Sequence, residues 1–295
     1  MSGHERPGGR NAGGRNVRDM ERRVRMSKLD IGVIVGIYAE DMQRVVDLGL
    51  RSCQVCSWNV EEWTDERFDA LLKAAAERQI DITTFWSGYP GPEVWNFTEG
   101  PATIGLVPPK YRAQRVEALK KAAEFAAKFE LPSITTHLGF LPEDPNDANY
   151  EPVVGAIREV ARRCDELGVE FWFETGQETP VTLLRTIERV GTDNCGINLD
   201  PANLILYGKA NPVDALDVFG QYVRGVHAKD GLYPTNGTEL GREVPIGEGK
   251  VDFPALICRL KELGYSGALT IEREITGPQQ QADIRKAIEY LRAIC

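Results

Sequence analysis

The amino-acid sequence predicts an α/β protein that folds as a single (β/α)8 barrel, the TIM-barrel class. Short apolar runs alternate with amphipathic stretches, which is typical of parallel strands joined by crossover helices. Eight such strand–helix units follow one another from residue 28 onwards. The length of 295 residues accommodates them, since a barrel of this kind needs about 250 residues. In addition, four consecutive strands in the second half each end in a side chain that can bind a metal.

The strands are predicted from the apolar runs in chain order. The run before Glu174 lacks the polar alternation of a half-exposed strand, so we expect it to be buried on both faces. Together the predicted strands cover residues 31–35, 53–58, 81–86, 133–137, 169–173, 196–199, 223–226 and 268–271.

The helices between these strands are predicted from apolar residues at helical spacing and from signals at their ends. Gly168 and Gly191 mark C-terminal ends, and Asn211-Pro212 marks a start. Asp252 is the expected N-cap of a helix that carries Leu263 on its apolar face. The predicted helices lie near residues 40–48, 65–78, 111–129, 150–167, 180–190, from 211 onwards, 252–264 and 279–293.

The segment from Trp86 to Lys110 is too long for a plain connection and is rich in proline, glycine and aromatic residues. Long loops inside compact domains are usually functional. We therefore predict that residues 86–110 form a lid over a binding site.

The first 27 residues differ in composition from the rest of the chain, with seven arginines and five glycines against three acidic residues. They contain no apolar segment of the kind found in secretory signals, and they cannot bury a core. We expect residues 1–27 to be a disordered tail and residues 28–295 to be the catalytic barrel domain. A nucleic-acid-binding arm, or a true start at Met20 or Met26, are the other interpretations of the tail.

Composition and charge argue against two classes of function. No apolar run approaches the roughly 20 residues that span a bilayer. The whole chain carries a formal net charge of −9 despite its basic tail, and an acidic body argues against nucleic-acid binding. Six cysteines without a paired CxxC pattern indicate reduced thiols and a cytoplasmic protein.

The ends of the last four strands carry the candidate chemistry: Glu174, Asp200, His227 and Glu272, in that order. In a parallel barrel the carboxyl ends of the strands meet at one face, so these side chains are expected to lie together. Three carboxylates and one imidazole suit Mn²⁺, Mg²⁺ or Co²⁺ better than a structural Zn²⁺. His137, the remaining histidine outside the tail, also ends a strand.

These residues resemble those of the sugar phosphate isomerase/epimerase family with xylose-isomerase-like barrels, which includes ketose 3-epimerases and inosose isomerases. The resemblance covers about residues 28–295. It rests on the motifs Phe-Glu-Thr-Gly-Gln-Glu, Asn-Leu-Asp-Pro-Ala-Asn, His-Ala-Lys-Asp-Gly and Thr-Ile-Glu-Arg-Glu. It implies that Glu174, Asp200, His227 and Glu272 bind one divalent metal, with Mn²⁺ the first expectation, and that the two glutamates are the catalytic residues.

The resemblance implies a metal-dependent isomerase that acts on a ketose or related keto-polyol. A metal would stabilise the enediolate that forms when the hydrogen α to the carbonyl leaves, and Glu174 and Glu272 would act as an acid–base pair. One alternative is a metal-dependent lyase or dehydratase that acts on a keto-sugar, keto-inositol or ketoglycoside, because an enediolate with a β leaving group eliminates. A non-catalytic sugar-binding module is the weaker alternative.

The expected partners are a small sugar and, as an open option, further copies of the chain, with no nucleic acid or membrane. Asn203 stands where ketose 3-epimerases place a histidine, and Tyr233 where they place an arginine, so the substrate is not specified. Instead of binding substrate, Lys229 and Asp230 could form a structural ion pair at the barrel rim, and Trp86 and Trp95 could pack in the core. The expected substrate-binding residues are His137, Trp86, Trp95, Gln177, Glu178, Asn203, Lys229 and Asp230.

Overall fold

In a computed structural model of the protein, which describes residues 28–295, eight parallel strands close into a barrel. This confirms the predicted fold class. The predicted tail, residues 1–27, lies outside the described residues. The barrel strands are β1 (Ile31–Val35), β2 (Ser52–Ser57), β3 (Asp81–Ser87), β4 (Ser133–His137), β5 (Glu170–Glu174), β6 (Cys195–Leu199), β7 (Val223–Ala228) and β10 (Leu269–Ile271). Two short strands, β8 (Asp230–Leu232) and β9 (Arg242–Val244), form an antiparallel pair that the sequence did not predict.

Helices follow the strands and cover the outside of the barrel. Most begin and end within two residues of the predicted positions, and none in the described part combines the length and apolar character of a membrane span. They are α1 (Asp41–Asp47), α2 (Asp65–Arg78), α3 (Gly100–Thr103), α4 (Pro109–Lys128), α5 (Tyr150–Glu166), α6 (Pro180–Val190), α7 (Pro201–Leu206), α8 (Pro212–Phe219), α9 (Phe253–Glu262) and α10 (Pro278–Ile294), with 3-10 turns at Val60–Glu62 and Gly220–Tyr222.

Two helix ends show how local signals act. The carboxylate of Asp252 accepts a hydrogen bond from the backbone N–H of Ala255, so it caps α9 as predicted. The same helix ends at Glu262, and Leu263 is 38% exposed. The prediction that Leu263 faces the core is therefore wrong, because the helix ends one residue earlier and Leu263 is its C-cap residue, whereas Leu260 in the last turn is still buried.

The barrel floor is filled by Trp172 of β5. A Cβ at Gly196 would lie 2.7 Å from the Trp172 ring, and one at Gly225 would lie 3.1 Å from it. The neighbouring strands β6 and β7 therefore need glycine where they approach the indole. Gln54 and Asn198 are buried in the same interior, and they separate this apolar floor from the carboxyl ends of the strands.

The strand register brings the candidate residues to one level. His137 on β4 pairs with Glu174 on β5, and Glu174 pairs with Asn198 on β6. His227 on β7 lies opposite Thr270 on β10, two residues before Glu272. The carboxyl ends of the strands thus form one face, where a barrel places its functional groups.

Candidate functional site

The four candidate ligands converge at this face although they come from four different strand ends. Their ligand atoms lie within 4.8 Å of one another. The Nδ1 atom of His227 is 3.1 Å from Oε1 of Glu174, 3.2 Å from Oε2 of Glu272 and 3.7 Å from Oδ2 of Asp200. The structure therefore places one imidazole nitrogen among three carboxylates.

The hydrogen bonds of this cluster fit a divalent cation. Nε2 of His227 donates to Oε1 of Gln54 at 2.8 Å, which leaves the Nδ1 lone pair facing the carboxylates. Nδ1 of His227 and Oδ2 of Asp200 are buried without a hydrogen-bond partner. Buried polar atoms are seldom left unsatisfied, and oxygen ligands with one imidazole suit Mg²⁺ and Mn²⁺. The residues present therefore fit the metal that the sequence predicted.

Two buried amides orient the ligands from below. The amide nitrogen of Gln54 donates to Oδ1 of Asn198 at 3.0 Å, and the amide nitrogen of Asn198 donates to Oε2 of Glu174 at 3.2 Å. The indole N–H of Trp86 donates to the same Oε2 atom. Because Oε2 is held by these two donors, Oε1 of Glu174 is left toward His227. Sequence reasoning missed Gln54 and Asn198, although a polar residue inside a predicted apolar strand is a signal that could have found them.

The charged side chains of the cluster shift one another's pKa values. Burial by itself raises the pKa of Glu272, but Lys229 and His227 outweigh it and hold the pKa well below its usual range. Burial lowers the pKa of His227, but the charges of Glu174 and Glu272 raise it well above the usual value. In the metal-free protein these carboxylates therefore favour a second proton on the imidazole, at Nδ1, and a metal that binds there has to displace that proton.

Lys229 lies behind the ligands and contacts other groups than its sequence neighbour Asp230. Its Nζ atom is 2.9 Å from Oε1 of Glu274, 3.1 Å from Oε2 of Glu272 and 3.5 Å from Oδ2 of Asp200. It also donates to Oδ1 of Asn203 at 3.3 Å. With 1% of its surface exposed, Lys229 is a buried cation that offsets part of the carboxylate charge.

Asp230 has a structural role in the protein, and its expected contact with a substrate hydroxyl stays a prediction. Its Oδ1 atom accepts from the backbone N–H groups of Gly231 and Val251, and its Oδ2 atom accepts from those of Gly247 and Gly249. These four donors occupy both oxygens. The carboxylate therefore holds the glycine-rich loop before α9 against the barrel, and the rim pair with Lys229 is not formed.

Three other predicted residues lie behind the ligands. The backbone N–H of Asn203 donates to Oδ1 of Asp200, so this residue supports a ligand. The side-chain nitrogen of Gln177 is 3.4 Å from Nδ1 of His137. Glu178 is buried, its Oε2 atom has no hydrogen-bond partner, and burial raises its pKa to about 8. Their roles toward a substrate stay predictions.

A cavity of about 200 Å³ opens onto Glu174 and Glu272. Of the predicted substrate-binding residues, Trp86, Trp95 and His137 line it, whereas Gln177, Glu178, Asn203, Lys229 and Asp230 do not. Sequence reasoning missed the remaining lining residues, which are Ile34, Cys56, Trp58, Glu93 and Glu274.

Aromatic rings form one wall of the cavity. The ring of Trp58 is 4.9 Å from that of Trp86 and 5.9 Å from that of Trp95, and Trp95 is 5.0 Å from His137. Segment 86–110 thus contributes Trp86, Glu93 and Trp95 to the cavity, where a lid would contribute them.

A fully buried arginine of α4 holds this segment in place. The guanidinium of Arg115 donates to the backbone carbonyls of Pro90, Pro92, Thr103 and Gly105 at 2.7–3.1 Å. It also stacks 4.3 Å from the ring of Tyr89. The segment is therefore anchored at four points rather than left as a free loop.

A closed parallel barrel with a buried carboxylate–imidazole cluster at its carboxyl face defines a class of α/β barrel with a candidate metal site beside a cavity. The chain belongs to the xylose isomerase-like TIM barrel family, whose family model matches residues 42–294. This confirms the predicted resemblance.

Solved structures and curated proteins agree with this assignment. A xylose isomerase domain protein from Planctomyces limnophilus is 35% identical, with 91% of this chain and 98% of that chain covered at a TM-score of 0.86. The structure of D-psicose 3-epimerase with D-fructose shares the fold at 17% identity, with 90% and 99% covered and a TM-score of 0.67. The inosose dehydratase of Geobacillus kaustophilus is 25% identical over 151 residues, which are 43% of this chain and 46% of that enzyme. Such curated relatives are matched over less than two thirds of their own length.

Proposed function

We propose that this protein is a metal-dependent sugar isomerase or epimerase that moves the hydrogen α to the carbonyl of a ketose or related keto-polyol. The observation that carries the proposal is the pair Glu174 and Glu272. Both carboxylates line the cavity and both contact the cluster of candidate ligands. They come from β5 and from the end of β10, three places apart around the barrel, so they approach a bound ring from different sides.

Glu174, Asp200, His227 and Glu272 would hold the cation, with Mn²⁺ as the first candidate and Mg²⁺ or Co²⁺ as alternatives. When bound, the cation supplies positive charge next to the substrate oxygen on which negative charge develops. Lys229 adds a further fixed cation behind Glu272. The site can thus lower the cost of forming an enediolate.

The two glutamates then carry the proton. One carboxylate removes the hydrogen from the carbon next to the carbonyl, and the other returns a proton to the opposite face, which inverts that carbon. Trp86 and Asn198 hold Oε2 of Glu174, which leaves its Oε1 atom to face the candidate cation site and the substrate. The lid residues Trp86 and Trp95 cover the ring and keep water from the reacting face.

A lyase or dehydratase is the second candidate, and the inosose dehydratase relative favours it. A keto-sugar, keto-inositol or ketoglycoside with a leaving group β to the carbonyl loses water or an alcohol once the α proton has left. The two reactions therefore share their first step.

The six cysteines, all unpaired in the structure, support a reducing cytoplasmic setting for either enzyme.

Deuterium exchange tests the proposal. Ketoses, inososes and keto-glycosides are incubated with the Mn²⁺-loaded protein in deuterated water, and substrate and product are analysed by NMR. We expect deuterium at one carbon, and at least a 10²-fold loss of rate in Glu174→Gln and in Glu272→Gln. Glu188→Gln, which changes an exposed carboxylate of α6, is the control and should keep its rate.

Loss of water or alcohol with the same labelling would move the assignment to the lyase. Wild-type activity in either active-site Gln variant would refute the two-carboxylate mechanism.

A further inference from the structure

We propose that the cavity selects an uncharged sugar or cyclitol ring and excludes phosphorylated and carboxylated ones, with Glu93 and Glu274 as the residues that enforce the selection. This inference rests on the proposed function, because it names the substrate class of the same site. Three separate features of the structure support it.

The first feature is the charge of the cavity. Glu93, Glu174, Glu272 and Glu274 line it, and no lysine or arginine among residues 28–295 does. Asp200 adds a fifth carboxylate within the cluster of ligands. A divalent cation and Lys229 together balance only three of these five charges, so the loaded site stays anionic. An anionic substrate would meet like charge in a partly desolvated space, and such repulsion is an effective way to reject a competitor.

The second feature is that the nearby cations are already engaged. Lys229 is held by the carboxylates of Asp200, Glu272 and Glu274. Arg115 is fully buried, and its guanidinium donates hydrogen bonds to backbone carbonyls of segment 86–110. Arg273, beside Glu272, lies 2.9 Å from both the Glu243 and the Asp283 carboxylates. Phosphate recognition relies on arginine or lysine donors that are free to bind it, and these three are not.

The third feature is the loop after the seventh barrel strand. In barrels of this class, backbone N–H groups of the loops after the last two strands often bind a phosphate. Here Gly247, Gly249 and Val251 direct their N–H groups at the carboxylate of Asp230. A Cβ at Gly249 would lie 2.0 Å from Oδ1 of Asp230, so the carboxylate fills this space closely. The chain has thus used its own carboxylate where another barrel would bind a phosphate.

The size and walls of the cavity point to one ring. Its volume of about 200 Å³ is below the roughly 300–1,000 Å³ of sites for drug-sized ligands. Trp58, Trp86 and Trp95 offer apolar ring surface to the C–H face of a sugar, and carboxylates accept hydrogen bonds from hydroxyl groups. An uncharged polyol satisfies both kinds of wall.

Binding measurements test the selection without requiring turnover. The Mn²⁺-loaded protein is titrated with matched pairs, such as D-fructose and D-fructose 6-phosphate, and binding is followed by tryptophan fluorescence and by calorimetry. We expect the neutral sugar to bind at least about tenfold more tightly than its phosphate, and this ratio to shrink as salt screens the charges.

Variants of Glu93 assign the effect, because this side chain is exposed and its replacement should leave the fold intact. The ratio should fall by about threefold in Glu93→Gln and by more in Glu93→Lys. Glu188→Lys makes the same charge change on α6, away from the cavity, and should leave the ratio at its wild-type value.

A phosphorylated sugar that binds as tightly as its neutral partner would overturn the proposal, and so would an unchanged ratio in Glu93→Lys. Failure of the proposed function would look different. Selective binding of neutral sugars without deuterium exchange would refute the proposed isomerase but support the proposed selection. Deuterium exchange with phosphorylated ketoses alone would support the isomerase and refute the selection.

Discussion

Replacing Gln54 by methionine should weaken metal binding although Gln54 contacts no metal. Gln54 is 1% exposed and links two residues of the site, because its Oε1 atom accepts from Nε2 of His227 and its amide nitrogen donates to Asn198. Methionine has a similar length but offers neither group. The variant therefore leaves the His227 N–H and the Asn198 carbonyl oxygen buried without partners.

The size of the effect can be worked from these two contacts. A buried polar atom that loses its partner costs about 1–3 kcal/mol, so Gln54→Met should lower the free energy of unfolding by about 2–6 kcal/mol. An imidazole ligand that has lost the group orienting it typically binds metal about 10–100-fold more weakly. Titration calorimetry of Mn²⁺ into metal-free protein measures the second effect, and urea unfolding measures the first.

Thr84→Val separates the two effects. Thr84 is a buried residue of β3 whose hydroxyl donates to the Ser133 carbonyl and lies 2.9 Å from the Thr135 hydroxyl. Its loss should destabilise the barrel while metal affinity stays at the wild-type value. A dissociation constant for Mn²⁺ within twofold of wild type in Gln54→Met, or an equal weakening in Thr84→Val, would refute the reasoning.

Two further predictions concern buried charges. Burial raises the pKa of Glu178 to about 8 from an ordinary value of 4.5, so the folded state binds this proton more tightly than the unfolded state. The contribution of this proton to stability is complete below pH about 4.5 and is lost at about 1.4 kcal/mol per pH unit as the pH rises toward 8. Urea unfolding of Glu178→Gln at several pH values should therefore show a smaller decline in the free energy of unfolding. The same decline with pH in the variant and the wild type would contradict the prediction. Arg115→Lys removes most of the bonds to the backbone carbonyls of segment 86–110 and should lower the Tm by about 5–10 °C. If this segment is the lid we propose, the variant should also raise KM more than it lowers kcat, and an unchanged KM would contradict that role.

The barrel and its four candidate ligands could be predicted because their signals are local. The alternation of apolar runs with amphipathic stretches specifies strand and helix along the chain, and parallel closure then requires that all strand ends share one face. Glu174, Asp200, His227 and Glu272 each follow directly on such a strand, so their convergence depended on chain order alone. The end of α9 was less predictable, because where a helix ends depends on the neighbours it packs against.

The tertiary structure alone decided which neighbour each polar side chain meets. Gln54 and His227 are 173 residues apart in the chain, and the sequence of neither strand predicts that they form a hydrogen bond. Lys229 and Asp230 are adjacent in one motif, yet one contacts the ligand carboxylates and the other binds the amides of a glycine-rich loop. Successive residues leave an extended strand end in opposite directions, so their contacts are determined by whatever the closed barrel places on each side.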